Sequence, residues 1–598
     1  MSTAILTGQP AVGSPLEAHL RSLGFTVRAA AGAGEIAALL AAAAPGERVA
    51  VVDHRFTGNL HSLRLGLTDS RFPAAAVPGA VTAQPAVRSR LARAVAAAET
   101  AGESFADGPS PLPDRLAALL DADGEPVHRP ELGTLVAAVP ADAAATAAAR
   151  ERAEAVDEEA VRLRSAVKSR DGFFTTFCVS PYSRYVARWC ARRGLTPNQV
   201  TTASLLTALL AAGCAATGTR GGFVAAGALL LASFVLDCAD GQLARYALRY
   251  STLGAWLDAT FDRAKEYAFY AGLALGAARG GDDVWGLALA AMVVQTVRHV
   301  VDFSFTEAQH DATGNTSPTA ALSGRLDAVG WTVWARRMIV LPIGERWALI
   351  AVLTALTTPR TTLVVLIAGC VLAGCYTTAG RALRSVTRRA RRTERAARAL
   401  ADLADSGPLA TLAARTARPP LSAPVWAGAA AALVLGTALW APAGSWWPAL
   451  AACGYALLSG WAVARPLTGA LDWLVPPLFR AAEYGTVLVL AARSEVNGAL
   501  PAAFGLVAAV AYHHYDTVYR IRGGTGAPPP VLVRAVGGHE GRTVLVALAS
   551  ALWSGATGFP LALTALTGLV ACAVLTESVR FWVSSAAPAV HDETGVPA

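Results

Sequence analysis

Lysine is almost missing from this sequence: Lys168 and Lys265 are the only two, so nearly all of the 51 basic residues are arginine. Charge of either sign is scarce, at 16% of 598 residues, against 54% apolar residues and a mean hydropathy of +0.41. That balance excludes a wholly soluble chain and indicates a polytopic membrane protein with some soluble sequence attached. No basic patch with interleaved aromatics stands behind the formal charge of +8, which argues against a nucleic-acid partner. Arginine at cytoplasmic loop ends accounts for it better, under the positive-inside rule. The eight cysteines are scattered without CxxC or Cys/His spacing, so neither a zinc site nor a disulfide framework is indicated. The opening MSTAILTGQPAVG lacks a charged segment followed by an apolar one. No signal peptide is expected, and the first segment is expected in the cytoplasm.

What is present falls into four stretches. Residues 1–170 alternate strand-like runs (Thr3–Thr7, Phe25–Ala30, Val49–Asp53) with helical ones (Pro15–Leu23, Gly34–Ala43), which predicts a cytoplasmic α/β domain. Residues 171–390 open with an amphipathic stretch, SPYSRYVARWCARRG, whose aromatic face suits lipid and whose arginines suit headgroups. Six apolar spans follow, at about 199–217, 222–247, 254–278, 284–306, 343–358 and 361–383, with WTVWARRMIVLPIGER expected at the interface. Residues 391–422 read as a basic cytoplasmic linker whose helix lies on the surface or in solvent. Residues 423–598 hold a second block of about six spans, near 425–442, 446–465, 472–491, 499–515, 543–556 and 559–582. The fold class expected is therefore a polytopic α-helical membrane protein, about six plus six spans, with an N-terminal soluble α/β domain.

The two blocks echo one another. Arg480-Ala481-Ala482-Glu483-Tyr484 repeats Arg263-Ala264-Lys265-Glu266-Tyr267, each on the third span of its block. Acidic residues in the second span do not recur: LLSGWAVAR stands where the first block has DCADGQLAR. A degenerate repeat is one reading and an unrelated bundle the other.

The most informative stretch is Asp237 to Asp262, with four carboxylates (Asp237, Asp240, Asp258, Asp262) in otherwise apolar sequence. An intramembrane acid is costly enough to mark a functional site by default. Asp237, Asp240, Gly241 and Ala244 share one helical face, and Gly254, Asp258, Asp262 and Lys265 share another on the next helix. A hairpin brings both faces together, and converging carboxylates call for cations, with hard oxygen donors suiting Mg²⁺ or Mn²⁺. The bland alternative pairs the acids with Arg245, Arg249 and Arg263 in a salt network.

The pattern D-x2-D-G-x2-A-R-x8-G-x3-D-x3-D is met at all its fixed positions, and in this the chain resembles the CDP-alcohol phosphotransferases. The resemblance covers about residues 170–390. It implies transfer of a phosphate-linked group from a CDP-linked donor to an alcohol or polyol-phosphate acceptor, with CMP leaving and two metal ions taking part. It further implies that Asp237, Asp240, Asp258 and Asp262 hold the metals and that Asp262 is also the general base. Gly241, Ala244, Arg245, Gly254 and Asn198 would serve the donor. Lys265, Arg298 and Arg381 are candidates for the acceptor, each with the alternative of an ordinary interfacial cation.

The SRYVARW–LTPNQVT and LPIGERW stretches look most like the branch that uses inositol phosphate (the di-myo-inositol phosphate phosphate synthase-like enzymes). A phospholipid synthase using CDP-diacylglycerol is the close competitor. A transporter or scaffold keeping an idle catalytic domain is the reading from another class. Membrane lipid and a second copy of the chain complete the expected partners, in a plasma or inner membrane with the site facing the cytoplasm. Cytidylyltransferase domains fused to this family carry a glycine-rich loop with a basic residue. Here TGQPAVGSPL lacks both, so the amino-terminal domain is expected to be a degenerate or regulatory nucleotidyltransferase-like one. Asp53 and His54 are expected to form a strand-end turn rather than a metal or nucleotide remnant, and His513, His514 and Asp516 to be satisfied polar groups rather than metal ligands.

Overall fold

The computed structural model describes residues 2–100, 110–168, 171–309, 334, 338–388, 392–416, 420–553 and 555–584. The chain forms two compact units. One comprises residues 1–169 with 182–197 and 239–251; the other holds most of the apolar helices.

In the first unit, strands β1 (Ser2–Leu6), β2 (Phe25–Ala29), β3 (Arg48–Val52), β4 (Ala74–Val77) and β5 (Ala80–Ala83) form one sheet in the order β2-β1-β3-β5-β4. β2, β1 and β3 are parallel, and the β4–β5 hairpin adds an antiparallel edge. Because strand side chains alternate, Ile5, Val49 and Val51 face one layer while Ala4, Leu6, Ala50 and Val52 face the other. Helices α2 (Ala33–Ala42), α4 (Arg88–Thr100) and α5 (Leu112–Ala122) cover the first face through Ile36, Leu91 and Leu116. Helices α1 (Leu16–Ser22) and α3 (Leu60–Thr68) cover the second through Leu20 and Leu63. Burial on both faces is why these strands read as near-continuous apolar runs. Helices α6 (Ala143–Glu154), α7 (Glu158–Ser165) and α8 (Ser180–Arg192) follow. Tyr182, Tyr185 and Trp189 of α8 are exposed, and Arg188 and Arg193 lie 5.1 Å over the Tyr185 and Trp189 rings. That aromatic face, wet in an isolated chain, fits a lipid surface.

The apolar helices of the first block are α9 (Pro197–Ala216), α10 (Arg220–Ala247), α11 (Thr252–Arg279), α12 (Trp285–Gln309), α13 (Ile343–Leu356) and α14 (Pro359–Arg388). Pro197 occupies the first turn of α9, where its missing N–H costs nothing. Gly272 and Gly276 let α11 approach α9 closely: a Cβ at either would lie 2.4 Å or 2.1 Å from the carbonyl of Ala212 or Ala215. α10 and α11 each have 28 residues, about 42 Å of helix against a hydrocarbon core of about 30 Å. Of WTVWARRMIVLPIGER, residues 331–333 and 335–337 lie outside the described residues.

The stretch read as a linker carries α15 (Glu394–Ala404) and α16 (Pro408–Ala413). α15 is neither surface-lying nor solvated on all sides: Leu400 and Leu403 are buried, and it packs on α12. Its arginines hold one face while leucine and alanine repeat at helical spacing on the other, so a basic composition concealed an apolar stripe. The second block contains α17 (Ala423–Trp440), α18 (Trp447–Ala462), α19 (Val475–Arg493), α20 (Ala499–Arg522), α21 (Gly538–Leu552) and α22 (Gly558–Ser584). Among the described residues seven helices are long and apolar enough to cross a membrane. α13, α18 and α21 are shorter, at 14, 16 and 15 residues.

Candidate active site

α10 ends where Leu248 turns into the left-handed region (φ 50°), and a short connection reverses the chain into α11. Asp237 and Asp240 therefore sit near the end of one helix and Asp258 and Asp262 near the start of the next. One oxygen from each of Asp237, Asp240 and Asp258 lies within 4.8 Å of the other two. Oxygens on one cation are at most two metal–oxygen lengths apart, about 4.2 Å for Mg²⁺. The all-carboxylate donor set and its spacing fit a hard divalent cation, reached by small side-chain rotations. Asp240 is buried, Asp237 half-buried and Asp258 exposed, so the cluster has one wet side.

Asp262 is held differently. Its Oδ1 lies 3.0 Å from Lys265 Nζ, and the same ammonium contacts Asp237 and donates to Ser204 Oγ at 3.2 Å. Lys265 is fully buried at 0% exposure. Expected at the acceptor, it lies three residues beyond Asp262 on one helix face and turns back among the carboxylates, pairing with two of them. The other two acceptor candidates also have internal partners. Arg298 is buried and donates to the carbonyls of Val340 and Leu341, the latter at 3.3 Å, while Arg381 pairs with Asp302. The guanidinium of Arg263 bonds Glu266 at 3.2 Å and His299 at 3.3 Å.

Of the donor candidates, Gly241 leaves its helix face open: a Cβ there would meet only the Arg245 guanidinium, at 3.5 Å. Ala244 is buried, and Arg245 Nε donates to the Ala166 carbonyl at 2.6 Å. Gly254 lies in the first turn of α11, and half-buried Asn198, in the first turn of α9, accepts from Thr202 Oγ1 at 2.8 Å through its carbonyl.

Sequence reasoning missed the support beneath the acids. Glu266 accepts from Tyr270 at 2.6 Å and pairs with Arg346 of α13 at 3.0 Å, all three buried. The available signal was the Arg-x2-Glu recurrence on α11 and α19. In the soluble unit, Asp53 bonds the backbone and side chain of Arg55 at 2.9 and 3.1 Å, an ordinary strand-end turn.

Residues 194–373 match the model of the CDP-alcohol phosphatidyltransferase family, and residues 394–598 match a family of unknown function, DUF5941. A phosphatidylinositol phosphate synthase of Streptomyces avermitilis is 38% identical over 111 residues, 18% of this chain and 43% of that protein. One from Mycolicibacterium smegmatis is 37% identical over 133 residues, 22% of this chain and 57% of that protein. A bifunctional IPC transferase and DIPP synthase of Rubrobacter xylanophilus is 42% identical over 83 residues, 14% and 18% of the two chains. The chain thus spans about half the length of the two phosphatidylinositol phosphate synthases and less of the bifunctional protein. The carboxylate hairpin of α10 and α11 lies wholly inside residues 194–373, the segment that matches the CDP-alcohol phosphatidyltransferase family model.

Proposed function

We propose that this protein transfers a phosphate-linked group from a CDP-activated alcohol to a hydroxyl of an inositol phosphate, releasing CMP. The observation that carries the reading is the convergence of Asp237, Asp240 and Asp258 within 4.8 Å inside the matched domain. The names of the relatives, phosphatidylinositol phosphate synthase and IPC transferase/DIPP synthase, support an inositol-based acceptor.

Asp237, Asp240, Asp258 and Asp262 would hold two Mg²⁺ or Mn²⁺ ions, whose charge would offset that of the donor pyrophosphate. The chain's own groups do the rest. Asp262 takes the proton of the acceptor hydroxyl. The acceptor oxygen bonds to the phosphorus bearing the transferred alcohol, the bond from that phosphorus to the bridging oxygen breaks, and CMP leaves with that oxygen. Arg245 holds donor phosphate, Gly241, Ala244 and Gly254 leave room for the nucleotide, and Asn198 faces it from α9. Lys265 limits repulsion between Asp237 and Asp262. The site faces the cytoplasm of a plasma or inner membrane, the side expected for the soluble unit.

The second block is, in this proposal, a degenerate repeat of the first. Helix order supports it, as does the packing of α12 on α19 and of α11 on α20. Third helix meets fourth helix in both directions, the reciprocal pattern of a two-fold interface.

The test is CMP release by purified protein with Mg²⁺, inositol phosphate and either CDP-diacylglycerol or a CDP-inositol. Release that requires inositol phosphate supports the reading, and the productive donor names the branch. Release without it removes the acceptor assignment; no release with either donor favours an idle scaffold.

A further inference from the structure

In the first unit a cavity of about 370 Å³ is walled by Arg64 of α3, Arg162 of α7, Arg192 of α8 and Arg249, which follows α10. We propose that this cavity is a binding site for a phosphate-bearing anion, separate from the carboxylate site. Four guanidinium groups from four segments face one space with a single acid, Glu159.

That acid is already committed. Glu159 accepts the Tyr246 hydroxyl at 3.0 Å on both oxygens, and Arg162, Arg188 and Arg192 crowd it at 3.7–4.0 Å. One carboxylate cannot balance the four arginines of the wall. Two of those arginines are spent partly on backbone: Arg64 donates to the Ala247 carbonyl at 3.2 Å and Arg162 to that of Tyr246 at 3.3 Å. These bonds fix the guanidinium planes while leaving other N–H groups of each fork for a ligand. One face of the Tyr246 ring is covered by Arg162 at 4.0 Å. What the wall offers is donors and charge, the chemistry that recognises phosphate. Burial first, and the neighbouring Arg162 second, also lower the Arg64 guanidinium to about 10, the strain of a cation taken out of water beside another. An anion would relieve that strain and tie α3, α7, α8 and the end of α10 to one another.

The phosphate can belong to a soluble molecule or to a lipid headgroup, and the experiment separates them. Full-length protein in phosphatidylcholine nanodiscs, with EDTA present so that the carboxylates carry no bridging metal, is titrated calorimetrically with inorganic pyrophosphate. Binding is expected, and Arg249→Gln, an exposed position that should not disturb folding, should weaken it by roughly tenfold or more. Arg64→Gln should do the same. A second arm uses nanodiscs containing phosphatidic acid. If the lipid abolishes pyrophosphate binding in the wild type, the headgroup is a ligand of the same site; if not, the ligand is soluble. Absence of pyrophosphate binding, or binding that both arginine variants leave unchanged, overturns the proposal. Neither result depends on CMP release, so this site and the transferase reading stand or fall separately.

Discussion

The two helical blocks keep the same buried framework and differ in what stands upon it. In the first, Glu266 of α11 holds Arg263 at 3.2 Å and Arg346 of α13 at 3.0 Å. In the second, Glu483 of α19 holds Arg480 at 2.5 Å and Arg542 of α21 at 2.6 Å. Both glutamates are buried and both link the third helix of the block to the fifth. Counting back from the shared Arg-x2-Glu, Phe479 stands where the first block has Asp262, and Val475 where it has Asp258. Both are fully buried, and Phe479 stacks on His539 at 4.2 Å. The stretch before the second block adds an acid, Asp405 at the end of α15, which accepts from Arg480 at 2.9 Å and Arg542 at 2.8 Å. The difference separates architecture from chemistry. The arginine–glutamate network is common to both and holds helices, while the wet carboxylate cluster belongs to one block alone.

The largest effect expected from breaking the comparison is on turnover. Asp240→Asn should remove donor and metal binding together, whereas Val475→Asn, at the position that matches Asp258, should leave CMP release per folded molecule intact. Asp262→Asn should lower turnover by ~10²–10⁴-fold, the usual worth of a general base, while donor affinity measured by calorimetry survives. Equal loss of donor affinity in the Asp262 and Asp240 variants would make Asp262 one more ligand and not the base.

Next in size is stability, where the blocks should behave alike. Glu266→Gln and Glu483→Gln each remove a carboxylate that holds two buried guanidinium groups, a loss of up to about 3–5 kcal/mol, less for Glu483 because Asp405 still pairs with Arg480 and Arg542. Thermal denaturation in detergent measures it. If Glu483→Gln costs nothing while Glu266→Gln costs much, the shared framework is not a shared support.

A pH-dependent effect concerns the first unit. Burial, with Arg162 and Arg64 nearby, holds His61 down at about 3, against about 6.5 for a free histidine. The unfolded chain takes up a proton that the folded one refuses. This contribution is complete above pH 6.5 and drains away as pH falls toward 3, at about 1.4 kcal/mol per pH unit. Hydrogen exchange of β1 and β3 in the full chain should show protection falling through that window, less steeply in His61→Gln. A flat profile in the wild type would contradict the assignment. Smallest of all, CTP with a polyol phosphate should yield no pyrophosphate, because the TGQPAVGSPL loop carries no basic residue.

The helices were legible because long apolar runs leave few choices: the twelve runs read from the sequence correspond to twelve helices, most ends agreeing within a few residues, though only seven of these are long and apolar enough to cross a membrane. The carboxylate face was legible for the same kind of reason, since its spacing lies within two adjacent helices. What stayed hidden is non-local. Glu266 meets Arg346 across 80 positions and Asp405 meets Arg542 across 137, and no periodicity reports such a pairing. The pairing of Lys265 with Asp237 and Asp262 stayed hidden for a subtler reason. Its helix position was right, but a long flexible side chain can turn outward or back, and two nearby carboxylates decided the direction.

The account rests on the first block being the working one, and one measurement tests that most directly. CMP release from a CDP-linked donor with inositol phosphate is followed for wild type and Asp258→Asn, each in Mg²⁺ and in EDTA. The account predicts release only by wild type in Mg²⁺, with EDTA abolishing it and Asp258→Asn failing in both conditions while retaining the wild-type melting temperature within a few degrees. Release by wild type in EDTA, or by Asp258→Asn at the wild-type rate, would contradict it.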